Sequence, residues 1–173
     1  MSNFKEELIN IKAFVFDIDG VLSLQTITLN SFGVPNRTVN LRDGYALQLA
    51  VKKGYRIAVI SGSNCKEYSK RLKILGVSDI YLNSRSKVDN FNAFLKKYDL
   101  KNSEVMYMGD DIPDFEVMKI AGLPVCPADA DSEIKQISLF ISDRKGGQGC
   151  VRDIIEQVLR LNNKWMDSDA FSW

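Results

Sequence analysis

Six apolar runs of strand length punctuate the chain: AFVF (13–16), RIAVI (56–60), DIYL (79–82), EVMYM (104–108), LPVC (123–126) and SLFIS (138–142). Several are continuous rather than alternating. An alternating run suits a sheet with one wet face. A continuous run needs cover on both faces, which is the habit of parallel strands. The segments between the runs supply that cover. In DGYALQLAVKKG (43–54), Leu47, Ala50 and Val51 share one helical face, and Lys-Lys-Gly is a stop signal. NCKEYSKRLKILG (64–76) repeats the pattern with Tyr68, Leu72 and Leu75, and SKVDNFNAFLKKY (86–98) with Val88, Phe91 and Leu95. IPDFEVMKIAG (112–122) carries proline in its first turn, where a missing N–H costs nothing. GCVRDIIEQVLRL (149–161) closes the series. Strand alternating with helix predicts an α/β fold built on a doubly wound, Rossmann-like parallel sheet. One segment breaks the rhythm. LQTITLNSFGVPNRTVNLR (24–42) is rich in Thr, Val and Ile around the turn SFGVPN, and predicts a β-hairpin projecting from the sheet. With 173 residues the chain fits one domain, residues 1–165, whose core needs no staples. Residues 166–173, at the end of NNKWMDSDAFSW, predict a flexible tail that stays disordered unless something holds it.

Charge and rare residues narrow the chemistry. Net charge is +1 with no long run of one sign, which argues against a nucleic-acid surface or a polybasic membrane patch. MSNFKEELINIK has no apolar stretch of the kind a signal peptide needs, and no run approaches the ~20 residues of a membrane span. A cytoplasmic location is the expectation. Cys65, Cys126 and Cys150 are odd in number and widely spaced, so they read as reduced, buried hydrophobes. There is no histidine. That removes Ser-His and Cys-His nucleophile pairs and histidine metal sites. Carboxylates, lysine, hydroxyls or a hard metal ion must carry any chemistry.

The carboxylates are placed for such work. In FVFDIDGVLS (14–23) the first apolar run ends in Asp17 and Asp19. Residues i and i+2 share a face of an extended chain, so both reach one site. Like charges that close need neutralising, and a hard cation does this through oxygen ligands. Gly20 lets the chain turn at once. A second cluster, Asp110, Asp111 and Asp114 in YMGDDIPD, follows the fourth run. Alone it would read as helix capping. In an open α/β sheet, however, ligands bind at the carboxyl ends of the strands, and two acidic strand ends make one crevice. Ser61 and Gly62, in VISGS, end the second run, where a hydroxyl and an N–H can hold a phosphate oxygen. Lys87 follows the third run and supplies the cation that an anionic phosphate needs in an acidic crevice.

Asp-x-Asp, Ser-Gly, Lys and Gly-Asp-Asp, in that order, resemble the haloacid dehalogenase superfamily of phosphohydrolases. DIDGVLS, NLRDGYALQLAVKKGY, MGDDIPDFEVMKIAGLPVCPADA and KGGQGCVRDIIEQVL resemble more narrowly its capless 3-deoxy-D-manno-octulosonate 8-phosphate (KDO 8-phosphate) phosphatases, over about residues 11–166. The resemblance implies a Mg²⁺-dependent phosphatase of lipopolysaccharide synthesis. Asp17 would be the nucleophile that forms an aspartyl phosphate. Asp19 would be the general acid and then the base, offering its backbone carbonyl to Mg²⁺. Asp17, Asp19 and Asp110 would hold the metal, with Asp111 and Asp114 in the outer shell. Ser61, Gly62 and Lys87 would bind the phosphoryl group. Asn40, Arg42, Asp43 and Gly44 would line the sugar site across a subunit interface, and Arg71 would meet the substrate carboxylate. The family typically assembles as a tetramer around its hairpins, and the tail would fold over a neighbour's site.

The chain departs from that pattern in places. Ser63 stands where many relatives carry arginine or glutamate, VLSLQ where they carry VLTDG, and Asn83 where they carry glycine. Asn tolerates positive φ, so the last turn survives. Ser63 removes a charged contact to the sugar acid and opens the choice to a nine-carbon acid 9-phosphate of the KDN or sialic-acid type. Two other classes compete. A receiver domain would need its phosphoacceptor after the third strand, where YLNSRS has no acid. An idle assembly domain would have lost Asp17 or Asp19, and both are present.

Overall fold

The structure, a computed structural model, describes residues 4–172. Residues 1–3 and Trp173 lie outside the described residues, so the start of the expected leaderless N-terminus and the last residue of the tail are not placed. The chain opens with a short helix, α1 (Phe4–Ile9), and the first strand, β1 (Ala13–Phe16). A small hairpin, β2 (Thr28–Leu29) and β3 (Pro35–Asn36), interrupts before α2 (Leu41–Lys52). Then follow β4 (Arg56–Ile60), α3 (Lys66–Ile74), β5 (Asp79–Tyr81), α4 (Lys87–Tyr98) and β6 (Val105–Met108). The series ends with α5 (Phe115–Ile120), β7 (Leu123–Cys126), α6 (Ser132–Ile137), β8 (Phe140–Ile141) and α7 (Cys150–Leu161).

The sheet is six-stranded and parallel, in the order β5-β4-β1-β6-β7-β8. Strand β1 lies in the middle, and the order reverses beside it. Phe16, its last residue, pairs with Val59 of β4 on one side and Met108 of β6 on the other. The loops after these three strands therefore leave the sheet at one place, the switch point where such sheets bind ligands.

The continuous runs are explained by the two layers they feed. Phe14, Phe16, Ile57 and Val59 face one core with α1, α2, α3 and α7. Ala13, Val15, Ala58 and Ile60 face the other, with Phe91 and Phe94 of α4, Val117 of α5 and Ile134 of α6. Phe14 and Phe16 are fully buried, and each is worth about 1.5–3 kcal/mol relative to exposure. Surface ion pairs such as Lys12–Glu104 are worth about 0–1 kcal/mol, so the layers and not the charges hold the fold.

Several elements differ from the sequence expectation. The hairpin ladder is only two residues per strand and does not fill 24–42; Pro35 has no N–H to extend it. IPDFEVMKIAG starts as a 3₁₀ turn, Ile112–Asp114, before α5. SLFIS shrinks to the edge pair Phe140–Ile141. Helices α1 and α6, six residues each, are too short to show a period and were not expected. The segment 165–172 lies on the body. Lys53 pairs with Asp167 and Asp169, the Tyr45 hydroxyl donates to the Ala170 carbonyl, and buried Trp165 meets the Tyr45 ring edge-on.

Asp43 ties α2 to α7. Its carboxylate is 2% exposed and accepts from the Arg152 backbone N–H at 2.7 Å, capping the first turn of α7. Burial pushes its pKa up to about 6, against the backbone hydrogen bonds that lower it. Asp43→Ala should cost about 1–2 kcal/mol, the value of a helix cap, read as a lower urea midpoint at unchanged slope.

Candidate active site

The site grows from three loop starts. Asp17 is the residue after β1, and its Oδ1 accepts from the Ile18 N–H at 2.6 Å. Asp110 and Asp114 follow β6. Lys87 is the first residue of α4, whose start is capped by Ser86 Oγ accepting from the Asp89 N–H. The lysine side chain is buried and turned inward. It donates to Asp17 Oδ2 and to Asp114 Oδ1, both at 2.7 Å. The Tyr107 hydroxyl of β6 donates to the same Asp114 oxygen at 2.6 Å.

Carboxylate oxygens of Asp17, Asp110 and Asp114 all lie within 4.8 Å of one another. Three acids thus face one ammonium. The imbalance shows in their proton affinities. Burial, then the Asp114 charge, raises Asp17 to about 8 against the pull of Lys87. The same two causes raise Asp110 to about 7. Burial works against the Lys87 charge, but Asp114 and Asp17 outweigh it and raise its pKa. Asp114 is fully buried, and its Oδ2 has no hydrogen-bond partner among the described residues. Buried oxygens with unspent charge and one orphaned acceptor suit a hard divalent cation.

Backbone geometry lets the acids crowd. Gly20 has φ +82°, and a Cβ there would collide with the Asp110 carboxylate. Behind it, a Cβ on Gly146 would collide with the Gly20 carbonyl, so the loop before α7 presses on the first acidic loop. Gly147 N–H donates to the Val21 carbonyl there at 2.8 Å.

The expected residues divide into groups. Asp17, Asp19, Ser61, Gly62, Lys87, Asp110, Asp111 and Asp114 line one crevice of about 700 Å³. Ser61 Oγ lies 2.8 Å from Ser63 Oγ, so a hydroxyl pair occupies the second loop. Asn83, in the loop between β5 and α4, takes φ +52° and keeps the turn there. Asp114, expected in the outer shell, sits in the cluster itself. Exposed Asp111 instead caps the turn Ile112–Asp114, accepting from the Ile112 N–H at 2.8 Å. The Asp19 carboxylate leaves the cluster for Arg37 of the hairpin foot.

The residues expected at the sugar site lie outside this crevice. Asn40 is the N-cap of α2, and its side chain donates to the Gly147 carbonyl at 3.1 Å. Arg42 is exposed on the first turn of α2. Asp43 is turned into the interior as the cap of α7. Gly44 lies under Leu75 and the Arg71 guanidinium. Arg71 lines a second groove, of about 620 Å³, between hairpin and α3, with Arg37, Glu67 and Tyr68.

Sequence reasoning missed Arg37, Tyr107 and Gln25. Gln25 Nε2 donates to Asp110 Oδ2 at 3.3 Å and to the Asp129 carbonyl at 3.0 Å. Its one signal was the departure VLSLQ. Tyr107 was hidden inside an apolar run, and Arg37 inside a hairpin whose path spacing cannot give.

Comparison with known proteins identifies the family. Residues 75–154 match the haloacid dehalogenase-like hydrolase family. The chain is 32% identical over 155 residues to the 3-deoxy-D-manno-octulosonate 8-phosphate phosphatase of Escherichia coli K12, covering 90% of this chain and 82% of the relative. It superposes with TM-score 0.89 and 31% identity on the same-named phosphatase of Moraxella catarrhalis, solved in complex with magnesium ion, phosphate ion and KDO; 96% of this chain and 94% of that one are covered. The Yersinia pestis phosphatase gives TM-score 0.89 at 29% identity, covering 92% and 86%.

The raised acids set a pH dependence. The folded chain binds the Asp17 and Asp110 protons more tightly than the unfolded chain. The stability they contribute is whole below the ordinary value of 3.8 and is lost as pH rises through about 7 and 8. In chelator, the thermal midpoint should therefore fall between pH 5 and 8.5. Asp17→Asn should shrink that fall, and Mg²⁺ should reverse it in the wild type. An equal fall in the variant would remove Asp17 as its source.

Proposed function

We propose, because this chain belongs to the 3-deoxy-D-manno-octulosonate 8-phosphate phosphatases of the haloacid dehalogenase-like hydrolases, that it hydrolyses KDO 8-phosphate to KDO and phosphate in lipopolysaccharide synthesis. The observation that carries this reading is the cluster of Asp17, Asp110 and Asp114 around Lys87 at the ends of β1 and β6. Little in it can do covalent chemistry except a carboxylate. Most of it positions and neutralises charge, which is what phosphoryl transfer needs.

The roles follow from position. An Asp17 carboxylate oxygen bonds to phosphorus while the bond from phosphorus to the sugar oxygen breaks. Asp19 gives its proton to that oxygen, and the sugar acid leaves. Asp19 then takes a proton from water, whose oxygen bonds to phosphorus as the Asp17–phosphorus bond breaks. Lys87 and the Ser61–Gly62 loop hold the phosphoryl oxygens. Tyr107 and Lys87 keep Asp114 in place. Asp17, Asp110 and the Asp19 carbonyl would hold Mg²⁺, with Asp114 beside them, and the ion supplies the positive charge that three acids and one phosphate lack. Asp111 stays outside this set.

The sugar end rests on the second groove. Arg71 there is the cation for the substrate carboxylate, with the segment from Asn40 to Gly44 beside it. We place the enzyme in the cytoplasm: its three cysteines are free and buried, as a reducing compartment requires, and among the described residues no helix is long and apolar enough to cross a membrane. A homotetramer built through the hairpin is the assembly we favour. Leu29, Phe32 and Val34 stand exposed on it, Phe32 at 88%, and a cluster of that kind marks an interaction surface.

Phosphate release should be Mg²⁺-dependent and faster from KDO 8-phosphate than from KDN 9-phosphate, assayed side by side; the reverse order would move the enzyme to nine-carbon acids through Ser63. Asp17→Asn should abolish release while keeping the fold, and full activity would sink the nucleophile assignment. Phe32→Asp should shift the sedimentation coefficient toward the monomer, and an unchanged coefficient would remove the hairpin from the interface.

A further inference from the structure

The hairpin ends in a clasp that the reaction above leaves unexplained. Thr38 is fastened three ways, twice to Ser23 and once to Leu24. Its N–H donates to Ser23 Oγ at 3.0 Å, the two hydroxyls lie 3.2 Å apart, and its Oγ1 accepts from the Leu24 N–H at 3.0 Å. That fixes the backbone next to Arg37. From there the guanidinium reaches back across 18 residues to Asp19. Arg37 Nε donates to Asp19 Oδ1 at 2.6 Å and a terminal nitrogen to Oδ2 at 2.8 Å. This is a bidentate fork, the arrangement that fixes the plane of a carboxylate as well as its place. The Arg37 side chain is 11% exposed and that of Asp19 36%, and Asp19 also lines the crevice.

We propose that Arg37 is a positioning residue for the reaction. It holds the ionised Asp19 carboxylate at the mouth of the crevice, away from the three-acid cluster, where it can take the proton of the attacking water. Asp19 is the one acid of its loop not drawn toward Lys87. Without Arg37 nothing described in the structure would hold it apart from Asp17 and Asp110. The capless site thus takes the alignment of its base from the hairpin rather than from the sheet. This inference rests on the phosphatase reading, and its test separates the two.

Two arms are needed. In the first, the enzyme carries ¹⁵N-labelled arginine. The Arg37 Nε–H, identified by its loss in Arg37→Lys, should exchange slowly with water in the wild type and shift or exchange fast in Asp19→Asn. A fast-exchanging Nε–H in the wild type overturns the pair, whatever the protein's activity. In the second, phosphate release from KDO 8-phosphate is measured with saturating Mg²⁺. Arg37→Ala should lower kcat on the order of 10- to 100-fold, the effect of a misplaced catalytic group, with KM moving far less. Arg37→Lys should recover only part, since a point charge is not a fork. Millimolar guanidinium should restore Arg37→Ala and leave the wild type unchanged. Added to Asp19→Asn, the alanine should cost little more, because it acts through Asp19. A loss carried by KM alone, or full additivity with Asp19→Asn, overturns the proposal. A wild type that releases phosphate from neither sugar acid overturns the phosphatase reading instead, and the exchange arm still decides the pair.

Discussion

The bonds from Lys87 to Asp17 and Asp114 are the interaction on which this structure turns. They join the first helical residue of α4 to the loops of β1 and β6, three segments far apart in sequence. One ammonium answers three buried acids, so the cluster is under-neutralised by design of its parts. Burial, and then the Asp114 charge, raises Asp17 and Asp110. A buried ion pair is weak evidence for stability, since desolvation offsets the attraction. Here the arrangement makes better sense as a site kept short of positive charge until a cation and a substrate bring their own balance.

Stability is supplied away from that cluster. The two cores hold the sheet from both sides, and α7 packs on α2 with Asp43 of α2 capping α7. The 165–172 segment adds Trp165 and the Lys53 ion pairs on the same side. Against that rigid body, the loops at the strand ends are pressed together by absent side chains. Gly20 leaves room for Asp110, and Gly146 leaves room for Gly20. The motif GGQG is therefore a packing requirement of the first acidic loop as much as the start of a helix.

Much of this was legible in the sequence, for reasons that particular residues show. AFVF and RIAVI are buried on both faces, so their continuous apolar character carried the topology. Asp17, Ser61 and Asp110 follow strands within two residues and Lys87 opens the helix after β5, and a parallel sheet brings strand ends together whatever the intervening lengths. Where a residue's direction depends on the path of a loop or the tilt of a helix, pattern was silent. Asp43 shares its motif with Arg42 and Gly44, yet it points inward, because α2 presents that face to α7. Asp114 is a turn away from Asp110 and was placed behind it, though the 3₁₀ turn Ile112–Asp114 swings it into the cluster. Arg37 had no signal at all, since its reach is set by the Thr38 clasp and not by any period.

The capless architecture explains why the least regular segment bears so much weight. A cap domain would close over the crevice and bring its own residues to the leaving group. On the reading proposed above, the sheet supplies only the phosphoryl end: Asp17, the Ser61 loop, Lys87 and the Asp110 loop. Everything that meets the rest of a substrate must come from outside the sheet, and the described chain offers the hairpin foot and the groove beside α3. Arg37 and Arg71 line that groove together. The hairpin has a two-residue ladder and exposed apolar side chains, so little within one chain stiffens its tip. Its foot, by contrast, is fastened at Ser23 and Asp19. On the reading proposed above, a tip open to another surface and a foot tied to Asp19 would make the hairpin the link between assembly and catalysis.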